Sequence, residues 1–290
     1  MELRQLKYFI KAAELENFTD AAAALFITQS TLSQQIRQLE DGLNIPLFDR
    51  IGKRVRLTEA GKLFLPYAKK TMSDADDGRS ILKDLMNLQT GTLTIGVTYG
   101  LTHLLTKAIV SFNEQCPNIK LQISFGTTQE LLAKLEGGHI DIMLSFLPVQ
   151  RTPVFIAERL FSSYLSLIVH EGHVLSKKKQ IDLTQIERLQ LLLPADGYSI
   201  RNMLDSIFEK HQVSPEIVME VNDINTLLQL VDTGKWCTIL MNTTIFNYPH
   251  LKAIKIIGEE VRPATITWPA NTYRKKSALL METQLKKFSV

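Results

Sequence analysis

Cysteine is scarce in this chain: Cys116 and Cys237 are the only two in 290 residues. Two such residues make no disulfide framework, and a reducing cytoplasm is the natural setting. Long apolar runs are missing too. No stretch of eighteen apolar residues occurs, so no transmembrane helix is expected. The first twenty residues carry Glu2, Arg4, Lys7, Lys11, Glu14, Glu16 and Asp20, with Leu6, Phe9, Ile10 and Ala13 at helical spacing, a pattern unlike a signal peptide. Net charge is only +3, so bulk charge identifies no partner. Nucleophile elbows, P-loops and dinucleotide fingerprints are all lacking, which leaves no catalytic constellation to propose. Six histidines include one close pair, His170 and His173, beside Glu171 in a polar segment; an adventitious pair is the simpler reading, and neither a metal nor a cofactor is expected.

What is present is amphipathic and locally basic. Apolar residues make up 45% of the chain, enough for two or three cores. Residues 18–57 hold the densest information. Thr19 is placed to cap a short helix containing Ala21 to Ala24, residues small enough for another helix to approach. Thr28 is placed to cap a second helix running to about Asp41, with Gly42 ending it. Leu32, Ile36 and Leu39 form a core stripe on that helix. Ser30, Ser33, Gln34 and Arg37 form another stripe, flanked by Gln29 and Thr31. Their donors and acceptors suit base edges and phosphates. No acid occurs from Ala21 to Leu39 to repel a phosphate. Arg50, Lys53, Arg54 and Arg56 follow as a basic hairpin with Gly52 at the turn. A polar helix face alone is ordinary solvated surface. Helix, turn, helix and basic hairpin in that order make a winged helix-turn-helix, with Lys53, Arg54 and Arg56 on the phosphate backbone.

These residues resemble the LysR-type transcriptional regulators. The resemblance rests on Tyr8-Phe9, Ala13-Glu14, Asn17-Phe18-Thr19, Ala21-Ala22, Thr28-Gln29-Ser30, Leu32-Ser33, Gln35-Ile36, Leu39-Glu40, Leu47-Phe48-Asp49-Arg50 and Leu57-Thr58-Glu59-Ala60-Gly61. It is dense through residue 61 and looser after residue 90, and within the family it is nearest the cyanate-operon regulators. It implies a sequence-specific DNA-binding regulator modulated by a small, anionic effector. The implied partners are double-stranded operator DNA, that effector, a second chain in a homodimer, a dimer of dimers, and RNA polymerase, with no membrane.

Residues 58–88 read as one helix capped by Thr58. Ala60, Phe64, Tyr67, Thr71, Ala75, Gly78, Leu82 and Leu85 approximate a heptad seam, and Pro66 interrupts it. A seam invites pairing of two such helices; a helix packed on its own domain is the alternative. After Gly91 strands alternate with helices, which predicts a mostly parallel sheet. The expected fold is α/β, an all-α-rich winged helix-turn-helix followed by a two-lobed, periplasmic-binding-protein-like effector domain. Expected segments are 1–57, a 58–90 linker helix, lobe I from 91–161 and 267–290, and lobe II from 162–266, the chain crossing between lobes near 161 and 267. Ligands of such sheets sit at strand carboxyl ends beside helix N-termini. That singles out Thr98, Tyr99, Thr102, Thr127, Thr128, Tyr198, Ser199 and Asn222, the positions that match the family's effector walls, with Arg201 as a charge for a carboxylate and Trp236 as a residue that narrows the pocket. A solute receptor would share the second half but has no use for residues 1–57. Redox sensing through Cys116 or Cys237 is a further alternative, with a buried inert thiol as the default.

Overall fold

The computed structural model describes residues 1–51, 54–85 and 90–289. Two compact units divide the chain, Met1–Leu88 and Gln89–Val290.

In the first unit α1 (Leu3–Leu15), α2 (Phe18–Ala24) and α3 (Gln29–Leu43) precede the antiparallel strands β1 (Phe48–Ile51) and β2 (Arg54–Leu57), and α4 (Glu59–Leu85) follows. Asn17, not Thr19, caps α2: its side chain accepts the Thr19 and Asp20 N–H groups. The cap lies two residues earlier than expected because Phe18 already begins the helix, its ring in the core. Thr28 caps α3 as expected, accepting the Thr31 N–H. The helix passes through Gly42 and ends at Leu43, where Asn44 takes the left-handed conformation at φ 55°. Asparagine tolerates that region, so glycine was not required.

Leu32, Ile36 and Leu39 point inward with Leu6, Phe9 and the close-packed Ala21 and Ala22. The Phe48 ring binds this core to the hairpin, 5.4 Å from Phe9 and edge-on to Phe18 at 5.3 Å. The Glu40 carboxylate accepts the Leu47 and Phe48 N–H groups at 2.8 and 3.1 Å, fixing where the hairpin leaves α3. Thr58 donates to the Pro46 carbonyl and caps α4 by accepting the Gly61 N–H. A Cβ on Gly61 would lie 2.2 Å from the Leu47 carbonyl oxygen, so only glycine permits this approach.

The expected seam on α4 divides. Ala60 and Phe64 pack into the unit's own core with Ala68, while Tyr67 is 72% exposed and Leu82 is 62% exposed. Pro66 lies within the helix as expected. The seam splits because the first turns of α4 must cover α1, and the apolar residues farther along have nothing of their own unit beneath them.

In the second unit β3 (Gly91–Val97), a 3₁₀ turn (Tyr99–Leu101), α5 (Thr102–Gln115), β4 (Ile119–Phe125), α6 (Thr128–Glu136), β5 (Ile142–Ser145), β6 (Gln150–Arg151) and β7 (Phe155–Ser163) come first. Next are β8 (Leu165–His170), β9 (Gln180–Ile181), α7 (Leu183–Ile186), β10 (Gln190–Pro194), α8 (Ser199–His211), β11 (Glu216–Val221), α9 (Ile224–Asp232), β12 (Thr238–Met241), a 3₁₀ turn (Asn242–Ile245) and β13 (Leu251–Ile256). The chain returns through β14 (Arg262–Pro269) to α10 (Lys276–Lys287). One lobe is built on the sheet β4-β3-β5-β14-β7-β6. The other uses β12-β8-β13-β9 and the pair β10-β11, linked through a bridge between Leu191 and Cys237.

The expectation of a mostly parallel sheet needs correcting. β3, β4 and β5 are mutually parallel, as are β10 with β11 and β9 with β13. β14 runs antiparallel to β5 and β7, and β8 antiparallel to β12 and β13. The cause is the double crossing: β14 returns in the direction opposite to β7 and pairs with it from Arg262↔Ser163 to Pro269↔Phe155. In β7 only Ala157 and Ser163 are buried, and its pairing with β14 shifts register at Ala264/Thr265.

Candidate functional site

The first candidate surface lies on α3 and the hairpin. Gln29, Ser30, Thr31, Gln34 and Arg37 are exposed and Ser33 is half-buried, on the side away from the Leu32–Ile36–Leu39 stripe. Thr28 Oγ1 lies 2.9 Å from Ser30 Oγ and 2.8 Å from Thr31 Oγ1, and the Gln29 amide donates to Ser33 Oγ at 3.1 Å. These short contacts organise the first turn of α3, the part of a recognition helix that enters a groove. Among the described residues Arg37 has no ion-pair partner, leaving its guanidinium available. Arg50 lies on β1, and Arg54 and Arg56 on β2; Arg56 is exposed. Lys53 and the Gly52 turn lie outside the described residues. Buried Val55, whose N–H donates to the Glu16 carbonyl at 3.1 Å, ties the hairpin to the end of α1. Phe26, between α2 and α3, is 96% exposed at φ 56°.

The second candidate is a cavity of about 200 Å³ between the two lobes. It lies where strands end and helices begin. Thr98 and Tyr99 follow β3; Thr127 and Thr128 follow β4 and open α6; Tyr198 and Ser199 open α8. All six line it. Thr127 forms a capping box, its hydroxyl accepting the Glu130 N–H while the Glu130 carboxylate accepts the Thr127 N–H. Those bonds to the charged form hold the Glu130 carboxyl below the usual range. Thr128 Oγ1 meets Ser199 Oγ at 3.1 Å. Tyr99 stacks on Phe125 at 5.1 Å and approaches Tyr198 at 6.3 Å. Thr98 Oγ1 is buried without a hydrogen-bond partner. A buried polar atom left unpaired is costly, so this hydroxyl is suited to a bound molecule.

Two expected residues stand apart. Thr102 donates to the Tyr99 carbonyl and lines a smaller adjoining cavity of about 50 Å³ with His103 and Thr243. Asn222 offers its backbone carbonyl to the Tyr198 hydroxyl and does not line the larger cavity. Arg201 is not available as a ligand cation. It is buried, donating to Asp205 at 2.9 Å, to Glu220 at 2.7 Å and to the Pro194 carbonyl, which pins α8 to β10 and β11. Trp236 packs beneath Lys235 in the α9 core and does not narrow the cavity.

The cation that does line the cavity is Arg262, at the start of β14. Apolar walls come from Phe146, Leu147, Ile200, Met203, Ile224, Leu240 and Met241, with Gly100, Gly126 and Thr244 completing the lining. Phe146, Leu147, Leu240 and Met241 lie at or just after strand ends, so the strand-end rule that singles out Thr98 covers them too once apolar residues are admitted. Arg262 carries no such signal, because its place depends on the return crossing.

Cys116 and Cys237 sit in the cores of different lobes. Burial pushes the Cys237 thiol up to about 11 and raises Cys116 as well. His173 Nε2 lies 3.8 Å from Cys237 Sγ, and burial lowers the His173 pKa. Burial of both groups thus disfavours the thiolate–imidazolium pair that activates a cysteine. Among the described residues no group of three or more His, Cys, Asp or Glu side chains could hold a metal ion, and no helix is long and apolar enough to cross a membrane.

Comparison with known proteins agrees with this geometry. Residues 3–62 match the family "Bacterial regulatory helix-turn-helix protein, lysR family", and residues 87–288 match the "LysR substrate binding domain". A Bacillus subtilis relative named "Uncharacterized HTH-type transcriptional regulator YybE" is 30% identical over 93% of this chain and 89% of its own. Full-length OxyR from Pseudomonas aeruginosa shares the fold with a TM-score of 0.76 at 23% identity, covering 99% of this chain and 98% of that one. Full-length CbnR, solved with its target DNA, shares it at a TM-score of 0.65 and 22% identity, covering 99% and 100%. A reading head with its own helix-turn-helix match, joined to a two-lobed domain with its own, places the chain in the LysR family of bacterial helix-turn-helix transcriptional regulators.

Proposed function

We propose that this LysR-family regulator reads operator DNA through Gln29, Ser30, Thr31, Ser33, Gln34 and Arg37, grips phosphates through Lys53, Arg54 and Arg56, and is switched by a small molecule in the cavity between the lobes. The observation that carries the reading is the acid-free face of α3, exposed beside a basic hairpin. The effector contacts are Thr98, Tyr99, Thr127, Thr128, Tyr198 and Ser199, with Thr102 and Asn222 acting from behind the walls. Binding rather than catalysis is the activity, in the cytoplasm where the DNA is. The working segments are 1–57, 58–90, 91–161 with 267–290, and 162–266.

A homodimer follows from the exposed Leu63, Tyr67 and Leu82 of α4, which lack partners within their own unit. Two reading heads suit a two-fold operator, a dimer of dimers would span two such sites, and RNA polymerase is the partner through which the complex acts. The test is selection of bound duplexes from a random-sequence pool by the purified protein, followed by salt titration of the selected sequence. A recurrent motif with affinity falling steeply in salt supports the reading. Recovery of no preferred sequence refutes it. Sedimentation at the same concentrations tests the dimer.

A further inference from the structure

We infer that the effector is an amphipathic organic monoanion whose single carboxylate is held by Arg262. This rests on the reading of the interlobe cavity as the effector site.

Arg262 is half-buried and lines the cavity, yet among the described residues no carboxylate pairs with it. The other arginines of this unit's interior are committed: Arg201 to Asp205 and Glu220, Arg274 to Glu282. An unpaired, partly desolvated guanidinium is costly, and its planar fork matches a carboxylate with two parallel hydrogen bonds. Among the described residues no acidic side chain lines the cavity; Glu130 and Asp223 lie behind the walls, occupied as helix caps that accept the Thr127 and Thr226 N–H groups. One unpaired cation neutralises one negative charge.

The walls argue against an inorganic anion. Phe146, Leu147, Met203, Leu240 and Met241 present apolar surface to the same space. An oxyanion lying against them would lose water without regaining hydrogen bonds on those sides. A cavity of about 200 Å³ is also far larger than the space one ordered water or small ion needs. An apolar body fills that volume and a carboxylate meets Arg262. The buried, unpartnered Thr98 hydroxyl adds a second polar anchor. Tyr198 precedes α8 without a side-chain cap, and Ser199 and Ile200 of the first turn line the cavity.

The experiment uses the full-length protein with phenylacetate, hexanoate and isovalerate, their uncharged amides, and phosphate, sulfate and nitrate, read by thermal shift and calorimetry. At least one monocarboxylate is expected to raise Tm, with its amide binding more weakly and the inorganic anions not at all. In Arg262→Met that carboxylate should weaken roughly 10- to 100-fold while the amide is unchanged, which also shows an intact cavity. Arg262→Lys, keeping charge but losing the fork, should fall between. Equal binding of acid and amide, preference for an inorganic anion, or an unaltered acid preference in Arg262→Met overturns the inference while leaving the cavity as an effector site. If none of these molecules, organic or inorganic, shifts Tm, the underlying reading fails with it.

Discussion

Thr128 and Ser199 meet hydroxyl to hydroxyl at 3.1 Å, one at the start of α6 on the first lobe and the other at the start of α8 on the second. The bond is exposed, and a net worth of about 1 kcal/mol is all such a contact supplies. It is therefore strong enough to bias the lobes together and weak enough for a ligand to replace. Replacing Thr98 and Ser199 together with alanine should abolish the transcriptional response to effector while duplex binding persists. A surviving response in a reporter assay would move the ligand elsewhere.

Arg37→Ala and Arg56→Ala should separate reading from gripping. Arg37 lies on the exposed face of α3 and should lose about 1–3 kcal/mol on the selected operator, with relaxed sequence choice. Arg56 lies on the hairpin and should weaken all duplexes alike, lowering the salt slope by about one. Binding isotherms on the operator and on a scrambled duplex at several salt concentrations decide between them.

Glu40→Ala should destabilise the reading head. It strips two hairpin N–H groups, those of Leu47 and Phe48, of their acceptor, a cost of about 1–3 kcal/mol. Chemical denaturation of the variant should show that loss, with DNA affinity falling too because the hairpin no longer leaves α3 at a fixed point.

The Cys237 thiol makes a pH prediction. Its folded pKa of about 11 stands above the ordinary value of 9.0 because burial disfavours the thiolate. The folded state therefore holds a proton that the unfolded state releases. The associated stability is intact below pH 9 and is lost as pH rises toward 11, to a total of about 2–3 kcal/mol. Cys237→Ala should be less stable at neutral pH but lose less between pH 9 and 11. Parallel curves for the two proteins would show that the thiol ionises normally. At pH 8 a thiol reagent should label native Cys237 slowly and unfolded protein quickly.

The parts of this molecule legible in its sequence are those decided by neighbouring residues. Thr28 before Leu32, Ile36 and Leu39 announces a capped amphipathic helix, and Thr127 with Glu130 announces a capping box. Choices between near-equal local solutions were not legible. Asn17 outcompetes Thr19 as a cap, and Asn44 takes the left-handed position that Gly42 also fits, because core packing of Phe18 and Leu43 settles the boundaries. At the site, the hydroxyls of Thr98, Thr128 and Ser199 follow from the strand-to-helix rule. Arg201 and Arg262 show its limit. Both are arginines near element starts, and only the three-dimensional pairing of Arg201 with Glu220, 19 residues away in sequence, removes it from the list of ligand cations.

The double crossing also orders events during synthesis. β14 lies between β5 and β7, at the middle of a sheet whose other strands all precede the second lobe in the chain. A ribosome thus exposes β5 and β7 as unsatisfied edges throughout translation of residues 164–261, and only the closing stretch of polypeptide seals them. Nascent chains stalled in that interval present open strand edges and an unfinished core, the state in which chaperone capture or strand-to-strand aggregation competes with folding.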